Sequence, residues 1–200
     1  MIEISERYLA FGQNIFVKEV AIPVGEVIEE VAKEYPCADD VDLRIVSRPT
    51  AFLSGLDALI GISVFLGGWA GTKFLDEIYD AKLGPKIKEY FRPYIERRGV
   101  DKKYSLAILA RKRGVGGSVL ICCIGSSIEE IESSERHIPA ALTMTNELLD
   151  SSKGNSVYLY VIEGGKFNLE PEVFESHQMA LEGLKRMYPA KLPKQIKPRS

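Results

Sequence analysis

Two hundred residues, 46% hydrophobic and 27% charged with a formal net charge of -2, suit one globular domain large enough to bury a core without staples. That balance excludes disorder as the main state, and a mean hydropathy of -0.04 belongs to a water-soluble chain. Three cysteines, Cys37, Cys122 and Cys123, have no framework spacing, so they read as reduced thiols of a cytoplasmic-type compartment.

Residues 1–13 carry acids where a secretory leader needs lysines, so nothing addresses the chain for export. Residues 7–22 are rich in aromatic and β-branched types and are broken by Gly12, Gln13 and Asn14, which predicts two short strands joined by a turn. Pro23 suits the first turn of a helix. Val24, Val27, Ile28 and Val31 give that helix an apolar stripe, with its glutamates facing water, and it ends near Tyr35 and Pro36. Residues 41–47 alternate and predict a strand stopped by Pro49.

The stretch 51–79 is the most apolar and the most glycine-rich. Leu56, Leu59, Ile60, Ser63, Gly67, Gly71, Phe74, Leu75 and Ile78 recur at spacings of three and four, which predicts a central helix that the rest of the domain wraps. Its uncharged run, 58–72, is shorter than the roughly 18 to 20 residues of a bilayer crossing. Gly67, Gly68 and Gly71 each cost about 1 kcal/mol in a helix, so close backbone packing or a break at 67–68 is expected.

A basic amphipathic helix follows at 83–98, with Ile87, Tyr90, Phe91, Tyr94 and Ile95 along one side; Pro93 should kink or divide it, and Gly99 caps it. Residues 104–113 and 118–124 form the clearest strand pair, a hairpin through the glycine turn 114–117. Ser126 and Ser127 with Glu129 and Glu130 offer a capping box in either register, and Pro139 implies two helices or a bent one. A strand at 156–162 turns at 163–166 into a shorter one at 167–169. Pro171 then starts a last helix in which Val173, Phe174, Met179 or Ala180, Leu181 and Leu184 face inward. The tail, 189–200, is basic and proline-rich and lacks the apolar content to fold alone.

These elements predict an α+β fold: a single domain over 1–188 in which a mixed, mostly antiparallel sheet packs against the central apolar helix and flanking amphipathic helices, followed by the 189–200 tail.

Chemistry is sparse. The glycines at 114–117 follow a strand and have basic neighbours, but a phosphate-cradling loop opens a helix, whereas here a strand follows. Cys122 and Cys123 sit among Val, Leu and Ile and read as core. His137 and His177 have polar neighbours and read as surface residues. No metal-ligand spacing or Ser-His-acid order is visible, so no catalytic residue, metal or cofactor is assigned.

Charge is segregated instead. Residues 26–42 and 129–150 are acidic, while 82–113 are basic; such blocks either pair within the fold or present opposed faces to partners. The leading expectation is a non-enzymatic protein-binding module, an immunity or inhibitor protein that neutralises a toxin or secreted effector by covering its active site. Its partner would be a basic protein, met by Glu26, Glu29, Glu30, Glu34, Asp39, Asp40, Glu129, Glu130, Glu132 and Glu135. Nucleic acid and membrane are disfavoured as partners. One alternative is a small-molecule or nucleotide-acting enzyme with its site near the 114–117 turn and Arg111 or Arg113. Another is a membrane-associated effector inserting residues 52–69.

Overall fold

A computed structural model of the chain describes residues 2–4, 8–11, 14–34, 59–66, 81–98, 103–111, 117–151, 154 and 156–188. Two short strands, β1 (Ile2–Ile4) and β2 (Tyr8–Phe11), pair antiparallel. A helical run follows: α1 (Asn14–Phe16), a π-helical turn (Val17–Ala21) and α2 (Ile22–Glu34). Pro23 cannot donate to the helix ladder and its ring crowds the carbonyl four residues back, so the wider turn falls just ahead of it. Strand β3 (Leu59–Leu66) and helix α3 (Gly84–Arg98) come next, then β4 (Lys103–Arg111) and β5 (Ser118–Gly125). The chain continues through α4 (Ile128–Glu135), α5 (Ile138–Ser151), β6 (Val157–Glu163), β7 (Lys166–Phe167), β8 (Glu172–Phe174) and α6 (His177–Met187).

The strands make one mixed sheet in the order β1-β2-β3-β4-β5-β6, with β7 and β8 both paired along the outer edge of β6. Only β3 with β4 and β5 with β6 are parallel, so the sheet is mostly antiparallel, and with its helices it makes an α+β domain. The β6–β7 connection is a two-residue turn. Gly164 and Gly165 both take positive φ there, 55° and 75°, as the twist of a tight hairpin requires.

Alternation along β4, β5 and β6 splits the core into two clusters. On the first face Tyr104, Leu106, Ile108, Ile121, Cys123, Tyr160 and Ile162 are covered by α1 through α5. Phe16 joins this packing edge-on, its ring centroid 5.6 Å from that of Phe91 and 5.2 Å from that of Tyr94, which in turn meets Tyr104 at 6.1 Å. On the second face Ala107, Leu109, Leu120, Cys122, Ile124, Val157 and Leu159 lie with Ala180, Leu181 and Leu184 of α6. Burial on both faces explains why these strands are apolar without a break.

Several expectations are corrected. Residues 59–66 are not part of a central helix: they form β3, paired to β2 on one edge and to β4 over eight positions on the other. A central strand can read as a continuous apolar run, which periodicity alone cannot separate from a helix. The β-branched residues Ile60, Ile62 and Val64 favour the strand. The remainder of 51–79, including Gly67, Gly68 and Gly71, lies outside the described residues, as do 41–47, Gly99 and the 189–200 tail.

The second strand expected within 7–22 is helical, because Phe16, Val20 and Ala21 are wanted on the helix side of the core; the first pairs upstream with β1. Pro93 does not divide α3, whose buried side, Ile87, Phe91, Tyr94 and Ile95, continues across it. The last helix begins at His177 rather than Pro171. Ser176 supplies the cap, its hydroxyl accepting from the Met179 N–H at 3.2 Å, and the preceding residues are drawn into β8. Val173 is consequently 59% exposed instead of inward, and of Met179 and Ala180 it is Ala180 that is buried. The shorter strand is Lys166–Phe167, ending before Leu169.

Candidate functional site

The basic helix α3 packs against both α2 and α4, and two of its bases, Lys88 and Arg92, reach α4. Lys88 Nζ lies 2.7 Å from Glu135 Oε2 and 4.0 Å from Glu132 Oε1. Arg92 reaches Glu129 at 3.0 Å and Glu132 at 3.5 Å. Glu135 is nearly buried, with 8% of its side chain exposed, so its pair with Lys88 is the least screened of these. Farther along α3, Arg97 Nη2 meets Glu19 at 2.7 Å, and near its start Lys86 holds Glu89 at 3.1 Å.

The start of α4 uses two more of the predicted acids. Ser127 caps the helix, its Oγ accepting from the Glu130 N–H at 3.3 Å, while the Glu130 carboxylate accepts from the Ser126 N–H at 2.7 Å. That fixes the capping box in the Ser127 register. Hydrogen bonds from its own backbone N–H and from Ser127, with a smaller contribution from Arg92, hold Glu129 below the usual carboxylate range. Gly125 makes room for the helix: a Cβ there would fall 2.6 Å from Glu130 Cβ and 2.9 Å from the Ile131 nitrogen.

Of the ten acids expected to meet a partner, the four on α4 are therefore occupied within the fold. On α2, Glu26 and Glu30 are exposed and Glu29 is half-exposed; Glu34 ends the helix, and Asp39 and Asp40 lie outside the described residues. The structure thus separates the two acidic sets, with α3 contacting both helices.

On the second face of the sheet two polar groupings form that the sequence did not announce. Ser118, the first residue of β5, is 2% exposed, and its Oγ lies 2.8 Å from Nε2 of His177, the first residue of α6. His177 is half-buried rather than a plain surface residue. The Ser118 N–H donates to the Ser156 carbonyl at 2.9 Å, and the β4–β5 register sets Arg111 directly opposite Ser118. At the other end of this face Glu163 accepts from Tyr188 at 2.8 Å and pairs with Lys103 at 2.9 Å. Partial burial pushes the Glu163 carboxyl up, but the hydrogen bonds from Lys103 and Tyr188 and the charges of Lys103 and Lys166 outweigh it and hold the group below its ordinary value.

Cys122 and Cys123 point to opposite faces and are fully buried, as expected of small hydrophobes. Burial pushes Cys122 up to about 12 and Cys123 well above its ordinary value, so neither is a thiolate at neutral pH. His137 stacks on Phe167 with ring centroids 5.8 Å apart. Among the described residues, the buried hydroxyls Ser105 Oγ and Tyr160 OH have no hydrogen-bond partner. Among the described residues no group of three His, Cys, Asp or Glu is placed to hold a metal ion, and no helix is long and apolar enough to cross a membrane.

No protein-family model, no curated protein and no solved structure matches the chain.

Proposed function

We propose that the chain is a protein-binding module that presents the outer face of α2, with Glu26 and Glu30 at its centre and Glu29 beside them, to a basic partner. The observation that carries the proposal is the allocation of charge: the acids of α4 are matched by Lys88, Arg92 and the capping box, whereas Glu26 and Glu30 stand exposed. Exposed charge of one sign steers encounter with an oppositely charged surface and sets register on it. An immunity or inhibitor protein works this way when it covers the active site of a basic toxin or effector. A cytoplasmic-type compartment accords with two buried, unpaired thiols.

Co-purification from the native host with the tagged full chain is the test. A specific basic protein should be recovered with the unaltered chain and with Glu129→Lys/Glu132→Lys, and lost with Glu26→Lys/Glu30→Lys. Equal recovery with all three chains would defeat the assignment to α2.

A further inference from the structure

We propose that Ser118 and His177 form a nucleophile and general-base pair able to take the acyl group of a carboxylic ester, a second site on the sheet face opposite α2. The pair is assembled from residues 59 positions apart, the first residue of β5 and the first residue of α6, at a heavy-atom separation of 2.8 Å. That is the range in which a hydroxyl proton is handed to an imidazole nitrogen.

Both members are fixed by their surroundings. Ser118 is held by its antiparallel register with Arg111, its parallel register with Val157 and the donation of its N–H to Ser156. His177 is set by the Ser176 cap and by the packing of Ala180, Leu181 and Leu184 on the sheet. The serine is covered and the imidazole half-buried, an environment that strengthens a hydrogen bond relative to water. The cross-strand position beside the serine belongs to a basic residue, Arg111.

The chemistry requires the tautomer in which Ser118 Oγ–H donates to an unprotonated Nε2. Oγ attacks the ester carbonyl carbon as its proton passes to Nε2, and an acyl–Oγ bond forms. The bond to the alcohol breaks and the alcohol leaves with the proton from Nε2. Water, deprotonated by Nε2, then cleaves the acyl–serine ester and regenerates the hydroxyl. The sum is ester plus water giving acid plus alcohol, with no other reactant.

A fluorophosphonate probe tests the pair without knowledge of the substrate. Oγ displaces fluoride from phosphorus and its proton goes to His177, so the folded full chain should gain one adduct, mapped by mass spectrometry to Ser118. Ser118→Ala should gain none there, and His177→Gln should react about 100-fold more slowly or less, the low end of general-base contributions. Glu26→Lys/Glu30→Lys should label like the unaltered chain, which separates this inference from the binding proposal. Thermal melts identify any variant that fails to fold, and in that event Ser118→Cys, alkylated by iodoacetamide, reports the same activation by comparison with Ser118→Cys/His177→Gln. Absence of an adduct on the folded chain, labelling only elsewhere, or a rate unmoved by His177→Gln would each show that the contact merely ties α6 to the sheet.

Discussion

Replacing Lys88 with methionine separates a structural ion pair from decoration of the surface. Lys88 Nζ sits 2.7 Å from Glu135 Oε2, and only 8% of the Glu135 side chain is exposed against 29% for Lys88. Methionine keeps the aliphatic stem but leaves the carboxylate without its nearest cation. Stranding a fully buried charge costs about 3–5 kcal/mol, and the partial exposure of Lys88 brings the expectation to about 2 kcal/mol. For a domain of this size that lowers Tm by about 4–8 °C. Glu135→Gln should cost less, about 1 kcal/mol, since Lys88 keeps Glu132 within 4.0 Å. The double variant Lys88→Met/Glu135→Met should recover part of the loss, because an apolar pair leaves no charge stranded. Urea unfolding with coincident fluorescence and circular dichroism transitions gives the comparison, and Lys86→Met supplies the control: its pair with Glu89 is open to solvent on both sides and should show no measurable change. If Lys88→Met proved as silent as Lys86→Met, the claim that α3 takes up the charge of α4 would be refuted.

Three further outcomes follow from local geometry. Gly125→Ala should destabilise by about 2–3 kcal/mol in the same assay, since the added carbon meets the α4 backbone at 2.9 Å; a neutral or stabilising result would mean that α4 sits farther from β5. Tyr160→Phe removes a buried hydroxyl that has no partner among the described residues and should leave stability unchanged or raise it by about 1 kcal/mol, so a clear loss would reveal a hydrogen bond to that hydroxyl. Cys122 and Cys123 should resist a thiol reagent at pH 8 in the folded chain and react on denaturation. Burial raises the Cys122 thiol from 9.0 to about 12, so the unfolded chain releases this proton first. Its contribution to stability is present below pH 9 and is lost as pH rises toward 12. Cys122→Ala should flatten that alkaline loss; an unchanged slope would place its origin elsewhere.

Much of the fold could be read from residue order where local chemistry and tertiary demand agree. The β4–β5 pair showed itself through two apolar runs around a glycine-rich stretch, α3 through its aromatic stripe, and the α4 cap through serine and glutamate at the right spacing. Errors arose where they part. Phe16 and Val20 prefer strands by propensity, yet the core needs them on a helix against Phe91 and Tyr94. Leu59–Leu66 runs between two neighbouring strands as an unbroken apolar stretch, so it shows no alternation to betray it. The three residues of β8 are too few to carry a pattern.

The candidate sites divide in the same way. Charge blocks were visible in the sequence, but whether they pair or face outward depends on which helices become neighbours. The contact between Ser118 and His177 had no local signal, because it exists only once α6 is laid across the end of β5.

The order of the sheet rests on Leu59–Leu66 lying between β2 and β4, since that strand joins β1 and β2 to the other strands. Nuclear Overhauser contacts on isotope-labelled protein examine it directly. Strong sequential Hα–HN contacts through 59–66, with cross-strand contacts linking Ile62 to Leu106 on one side and to Ala10 on the other, are the predicted result. Strong sequential HN–HN contacts through the same residues, without the cross-strand set, would make the segment a helix and contradict the account.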